Sequence, residues 1–420
     1  MTTKKISLNF ILMNLLLLVS FVELAYPPIS VYGNATIIRI VCILSWLAIS
    51  FLSDSDFYLH SSFRVTYVLI FFGLTVLLPY ISGAGVIGNR YLALSMIPLG
   101  YLIFCFYKRH NMLTSLLKTL AIPAVLLTIT MFRTLDALIE SPHISRSIKS
   151  SGEYSEGLAA QGIGGYHFIY MMVAVAVVVL YVFFKDKRFI VRAIAMGFFL
   201  VSFFLIIKSS YVTALITVFA ASLVLIILNY AKQGNAISTL IFIFIAILSF
   251  ILLFNLTSII NTFADVLPER IARVLVTDNQ NSVYESLIEE FTVDRWPRMA
   301  ESIDAAIKNP FLGLIVSSDL NISGEGLTGF GQHSHILDTF ALYGIGIGLV
   351  NVFVMLRPFK DDNGKRIKRG KALNIAMFVA MAGVLFFNNA TDSIAVIFGI
   401  VFPLVREIYN PEEQLNETVK

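Results

Sequence analysis

Residues 166–184 read YHFIYMMVAVAVVVLYVFF, an unbroken apolar run without one Asp, Glu, Lys or Arg. A helix needs about 20 such residues to cross roughly 30 Å of hydrocarbon, and this run has the length. It then stops on Lys185-Asp186-Lys187-Arg188, and a second run begins at once. Similar blocks fall at 7–25, 36–53, 64–81, 91–107, 115–134, 189–207, 210–229, 236–255, 334–356, 373–389 and 392–405. Only 14% of the 420 residues are charged, against about 25% in a typical soluble domain. Mean hydropathy is +0.81. The chain lacks the polar surface to coat a water-exposed globule. In lipid only helices and closed barrels satisfy their own backbone, so the expectation is an all-α polytopic membrane protein. The blocks predict about 12 transmembrane helices in a single domain over 1–420.

The start, Met1 to Lys5 and an apolar run, has the outline of a signal. No small-residue cleavage site precedes Pro27-Pro28, so it reads as a retained first helix. Cys42 and Cys105 each lie inside an apolar block and read as small core residues.

Lysine and arginine set the orientation, because basic residues gather in cytoplasmic loops. With the amino terminus inside, the inner segments hold Lys4-Lys5, Lys108-Arg109, Lys185 to Arg188, Lys232 and the basic loop 357–372, RPFKDDNGKRIKRGKA. Both termini are then cytoplasmic. Two long segments fall outside: 135–165, and 256–332 between the ninth and tenth spans. The second is far longer than a bundle connection needs and is expected to contain helices. In 294–309, DRWPRMAESIDAAIKN, the apolar residues Trp296, Met299, Ala300, Ile303 and Ile307 repeat at helical spacing. Asp294 suits the cap, Pro297 the first turn, and Asn309-Pro310 the end. Arg295, Arg298 and Ser302 would share the opposite face.

The stretch with most chemistry is 331–348, GQHSHILDTFALYGIGIG, where the large loop enters the tenth span. A neutral imidazole of His333 or His335 there has the basicity to take a proton from an attacking hydroxyl. The plainer reading is two interfacial histidines hydrogen-bonded to loop carbonyls.

This stretch resembles the bacterial O-antigen polymerase and ligase superfamily, the Wzy-type polymerases and their WaaL-like relatives. Their pattern of His-[Asn/Ser]-x-x-Leu and a glycine-bearing helix start is similar to His333-Ser334-His335-Ile336-Leu337 with Tyr343-Gly344 and Gly346/Gly348. Upstream, an arginine opening a loop helix that ends in Asn-Pro-apolar-apolar-Gly is matched by Arg295 and Asn309-Pro310-Phe311-Leu312-Gly313. The sharp part of the resemblance covers 295–348; elsewhere it is topology. It implies a metal-independent glycosyltransferase without a cofactor, acting at the outer face of the bacterial cytoplasmic (inner) membrane. Its substrate would be an undecaprenyl-diphosphate-linked glycan, polymerised into O-antigen, capsule or exopolysaccharide. Membrane lipid, a chain-length regulator and a flippase are the implied partners, and nucleic acid is not among them. By the same resemblance His333 matches the essential histidine, His335 is the substitute, and Arg295 and Arg298 hold the diphosphate.

The chain departs from the family where many members carry Ser-Arg near the outer end of a middle span. Here it reads Lys208-Ser209-Ser210-Tyr211, and a lysine is a point charge and not a bidentate fork. The long loop is acidic on balance, so salt bridges on a solvated face remain the competing role for its arginines. Arg146, with Arg133, His143 and Lys149 near 162–167 (GIGGYH), forms a second external basic group that suits either an acceptor or loop solvation.

Two other signals are read as structural. Asp54-Ser55-Asp56 has a metal-binding form, but in a short inner loop a helix-ending turn is the better reading. His333 and His335 have no further ligands at zinc-like spacing. A phosphate-cradling glycine loop is not found in the sequence. The competing functions are a ligase that moves finished glycan to lipid A-core or protein, a flippase or other transporter, and a membrane scaffold. Related halves and charged residues near midplane would mark a transporter.

Overall fold

The computed structural model describes residues 8–31, 35–59, 92–141, 144–148, 153–209, 211–230, 296–314, 321–323, 326–328, 330–331, 333–360, 370–388 and 392–410. The spans expected at 64–81 and 236–255, the first part of the large loop with Arg295, and most of the basic loop lie outside these residues. The described chain is helical apart from one two-stranded hairpin, Asn321–Ser323 (β1) with Gly326–Thr328 (β2). It falls into two compact units: residues 1–168 with 391–404, and residues 169–390 with 405–420.

In the first unit the helices are α1 (Leu8–Ala25), α2 (Pro27–Val31), α3 (Ala35–Ser53), α4 (Ser55–Leu59), α5 (Leu92–Arg109) and α6 (Leu113–Glu140). They are followed by α7 (Ile144–Ser147) and α8 (Glu153–Ala160). Polar side chains pin α1 to its neighbours: Asn14 Nδ2 donates to Ser115 Oγ at 2.7 Å and Tyr107 OH donates to Asn14 Oδ1 at 2.7 Å. Arg39 and Glu23 form a buried ion pair at 2.7 Å, so the few charges inside these apolar helices are matched. Asp54 caps α4, its Oδ1 accepting from the Phe57 amide at 2.9 Å, while its Oδ2 pairs with Arg109 Nε at 2.9 Å. That is the helix-ending turn expected of the Asp-x-Asp stretch. Cys42 is buried and Cys105 half-buried, and the two are not joined in a disulfide.

Helix α6 does not stop at 134 but continues to Glu140, six residues into the expected loop. Leu135, Ala137 and Leu138 continue its helix-forming run, and Leu138 is buried. The rest of 135–165 is largely folded. Thr134 Oγ1 accepts from the Gly164 amide at 2.7 Å, and Arg133 Nη1 donates to the Gln161 carbonyl at 3.0 Å. Arg133 thus braces the turn before α9 (Tyr166–Lys185).

In the second unit α9 is followed by α10 (Phe189–Lys208) and α11 (Val212–Tyr230), then α12 (Trp296–Lys308), α13 (His335–Met355) and α14 (Lys371–Phe387). Gly383 of α14 packs on Thr217 of α11, where an added Cβ would lie 2.7 Å from Thr217 Cγ2. The last expected span is one helical rod in three parts: α15 (Asp392–Val396), a π-helical turn (Ile397–Val401) and α16 (Phe402–Tyr409). Pro403 has no amide to donate and crowds the carbonyl four residues back, and the wider turn accommodates both. In the first unit, Gly399 of that turn meets Gly100 of α5, where an added Cβ at 399 would lie 2.7 Å from the Ile97 carbonyl. Small residues let two apolar helices approach this closely.

Among the described residues, five helices are long and apolar enough to cross a membrane: Leu8–Ala25, Leu113–Glu140, Tyr166–Lys185, Phe189–Lys208 and the stretch His335–Phe359. Shorter apolar helices cover Ile37–Ser53, Thr213–Asn229 and Lys371–Phe387. Phe189, Ile190, Ile194 and Leu200 of α10 lie open, and a run of exposed large apolar side chains on one helix suits a lipid-facing surface. Together these helices fit a multi-pass membrane protein.

Within the second unit a polar cluster ties together α9, α14, α16 and the turn Arg357–Phe359. Buried Arg406 donates to the Pro358 carbonyl and to Asn374 Oδ1. Asn410 Nδ2 donates to Tyr181 OH at 2.7 Å, and Tyr409 OH donates to Asp186 Oδ2 at 2.7 Å. Asp186 also pairs with Arg188 at 2.8 Å. Both flanks of the basic loop are held here.

Candidate active site

Helix α12 forms where its sequence predicts. Pro297 sits in the first turn, where a missing amide costs nothing, and the helix ends at Lys308, before Asn309-Pro310. Its buried face is Met299, Ser302, Ala305 and Ala306. Of the apolar stripe read from the sequence, Met299 is buried, whereas Trp296 and Ile307 are exposed. The face that packs is instead the one with Ser302, because small Ser and Ala side chains let α12 lie close along α13.

Three contacts fix that packing. Arg298 Nη1 meets His333 Nε2 at 2.6 Å, Ser302 Oγ donates to Asp338 Oδ1 at 2.6 Å, and the Ile345 amide donates to the Pro310 carbonyl at 2.8 Å. The order 298, 302, 310 against 333, 338, 345 means that α12 and the first half of α13 run in the same direction. Ser302 Oγ also accepts from the Gly331 amide at 3.0 Å. Gly331 lies so close to α12 that an added Cβ would overlap the Arg298 carbonyl. Ser302 thereby clamps the segment before α13 and delivers His333 to Arg298.

Ser334 caps α13 by accepting from the Leu337 amide at 3.3 Å. The helix then breaks at Gly344, whose φ of 76° and ψ of 172° suit only glycine. The break frees the Ile345 amide for Pro310, so the Asn-Pro-Phe-Leu-Gly turn seats against it. Gly313, at φ 67°, completes the seat, since an added Cβ would lie 2.1 Å from the Leu342 carbonyl oxygen. The two glycine-bearing motifs of the sequence are one interlocked joint.

Arginine carries only donors, so the 2.6 Å contact makes His333 Nε2 the acceptor and leaves the proton on Nδ1. A ring nitrogen that accepts in this way presents its lone pair to the guanidinium, whose paired N–H groups have the fork geometry that suits phosphate or carboxylate oxygens. Arg298 is exposed and His333 half-buried. His335, in contrast, is buried at the first position of α13, with its amide donating to the Asn388 carbonyl at 3.1 Å. Of the two histidines, His333 is the more accessible. Asn388 ends α14 in extended conformation.

Lys208 ends α10 with its Nζ 5.6 Å from the centre of the Phe204 ring. Arg146 falls in α7, and its side chain, like all of Arg295, lies outside the described residues. Among the described residues no three His, Cys, Asp or Glu side chains converge as a metal site requires. Ser302 and Asp338 lie in the stretches that sequence reading picked out, but it gave neither a role in the site. The signal was present in part: Ser302 is one turn after Arg298 on the same face.

Comparison with family models, with curated proteins and with solved structures returns no match for this chain.

Proposed function

We propose that this chain is a polysaccharide polymerase that joins undecaprenyl-diphosphate-linked oligosaccharide repeat units at the outer face of a bacterial cytoplasmic membrane. The observation that carries the reading is the Arg298–His333 contact at 2.6 Å, at the end of a helix apolar enough to cross a membrane. The resemblance of 295–348 to Wzy-type polymerases supplies the carrier and the glycan. The topology that goes with it has about 12 spans, both termini cytoplasmic, and the large loop outside.

Arg298 exchanges the His333 ring for a diphosphate oxygen of the donor, a charge-assisted and bidentate contact. His333 Nε2 is then free to take the proton of the incoming sugar hydroxyl. The hydroxyl oxygen bonds to the anomeric carbon as the bond from that carbon to the diphosphate oxygen breaks. Undecaprenyl diphosphate leaves with the electron pair, its charge held by Arg298 and, in the full site, Arg295 and Lys208.

The test is His333→Ala in cells that depend on this chain for surface polymer. The expected result is a stable, inserted protein and single repeat units on the acceptor. A normal chain-length ladder overturns the proposal, and an acceptor without any glycan moves the assignment to a ligase.

A further inference from the structure

We propose that Phe311-Leu312, the tip of the turn after α12, is a wedge that inserts into the lipid leaflet beside α13 and sets the height of the Arg298–His333 pair above the acyl chains. The inference goes beyond the polymerase reading and does not depend on it.

Phe311 is 85% exposed and Leu312 51%. No charged side chain occurs from Asn309 to Leu314. The base of the tip is tied down: the Asn309 amide donates to the Ala305 carbonyl, the Gly313 amide to the Asn309 carbonyl, and the Pro310 carbonyl accepts from the Ile345 amide. Proline has no amide of its own. These bonds fix the turn against α12 and α13 and leave the two apolar side chains pointing off its end.

Its position names the occupant. The Pro310–Ile345 bond places the turn beside the first residue of an open apolar strip on α13, Ile345, Leu349 and Phe353, at spacings of one helical turn. That strip belongs to a stretch long and apolar enough to cross a membrane, so its covering is acyl chain. Phe311 and Leu312 extend the same surface sideways, as does Ile307, 68% exposed one turn earlier on α12. Above the break, α13 turns polar on its buried side, with His335, Asp338 and Thr339. The lipid-facing surface therefore begins at the level of the joint, and the wedge lies at that boundary. Lys308, exposed next to the tip and paired with Asp304 at 2.6 Å, has the long stem that lets an ammonium stay with lipid headgroups while its neighbours go deeper.

The test uses the full chain reconstituted in phosphatidylethanolamine and phosphatidylglycerol nanodiscs. Phe311→Trp and, separately, Leu312→Trp add one fluorophore to the two native tryptophans, and the parent supplies the baseline. Both positions are exposed, so the fold tolerates the larger ring; equal melting temperatures of parent and variants verify this. The expected result is that lipids brominated on the acyl chain quench the added emission while aqueous iodide does not. Quenching by iodide and not by bromine overturns the wedge. Protection from both, with a dimer on sizing, assigns the tip to a protein contact and overturns it too. None of these readouts involves polymer, so failure of the wedge and failure of the polymerase reading are separable.

Discussion

The Ser302 hydroxyl donates to Asp338 Oδ1 across 2.6 Å, and both side chains are buried. Losing one partner of such a bond strands the other, at a cost of about 1–3 kcal/mol. Ser302→Ala is therefore expected to lower thermal stability in detergent and to loosen the segment that carries His333. On the proposed polymerase reading, output should also fall although neither Arg298 nor His333 has changed. An unchanged melting temperature together with unchanged output removes Ser302 from the clamp.

Arg298→Lys keeps the charge and loses the fork. If the guanidinium holds a diphosphate, the lysine variant retains the fold while its rate with the lipid-linked donor drops severely. His333→Ala removes a proton acceptor, an effect of about 10²–10⁴-fold in such reactions. Both rates are measurable with purified enzyme and synthetic donor. A lysine variant at full rate rules out bidentate holding.

Gly344 and Gly346 provide a paired comparison. At Gly344 an added Cβ would lie 2.3 Å from the Phe311 carbonyl oxygen and the residue sits at φ 76°, whereas at Gly346 nothing lies within 4 Å. Gly344→Ala is expected to cost more than the roughly 1–3 kcal/mol of an unfavourable backbone conformation alone. Gly346→Ala should be neutral or stabilising by up to about 1 kcal/mol. Melting curves of the two variants should separate clearly, and equal effects would contradict the interlocked joint.

The cluster at Asp186 predicts a pH window. Hydrogen bonds from Arg188 and then Tyr409 hold the Asp186 carboxyl well below its ordinary 3.8, so its contribution is full above that value and fades as acid protonates it. Burial and the bond to Asp186 push the Tyr409 phenol from 10.0 up to about 12. Its contribution is full below 10.0 and is lost as pH rises through about 12. The melting-temperature gap between the parent and Asp186→Asn should be flat across neutral pH and shrink only at either extreme. A gap that changes through neutral pH points to another group.

Much of this was legible along the chain because the signals are local. Apolar run length marks α1, α9 and α10. Asn309-Pro310 ends α12, and the Asp54 turn follows from its short loop. Arg298 and Ser302 fall on one face by helical arithmetic alone. Other features depend on which elements become neighbours. Ser302 meets Asp338 only because α12 and α13 run side by side, and no spacing within either reveals it. The same holds for Trp296 and Ile307, which look like core residues until the small-residue face is seen to be the one that packs. The π turn at Ile397–Val401 answers a proline and a glycine contact together, and the hairpin at 321–328 is too short for a periodic pattern to announce it.

Residues 391–404 belong with residues 1–168, although residues 169–390 of the second unit lie between them in the chain. A ribosome makes the amino-terminal end first, yet the glycine notch at Gly100 must wait for Gly399. During synthesis α5 is therefore made long before the residue that closes this notch. A chain cut short before 391 would leave that notch permanently open. It would be a natural target for membrane quality control, however sound its upstream sequence.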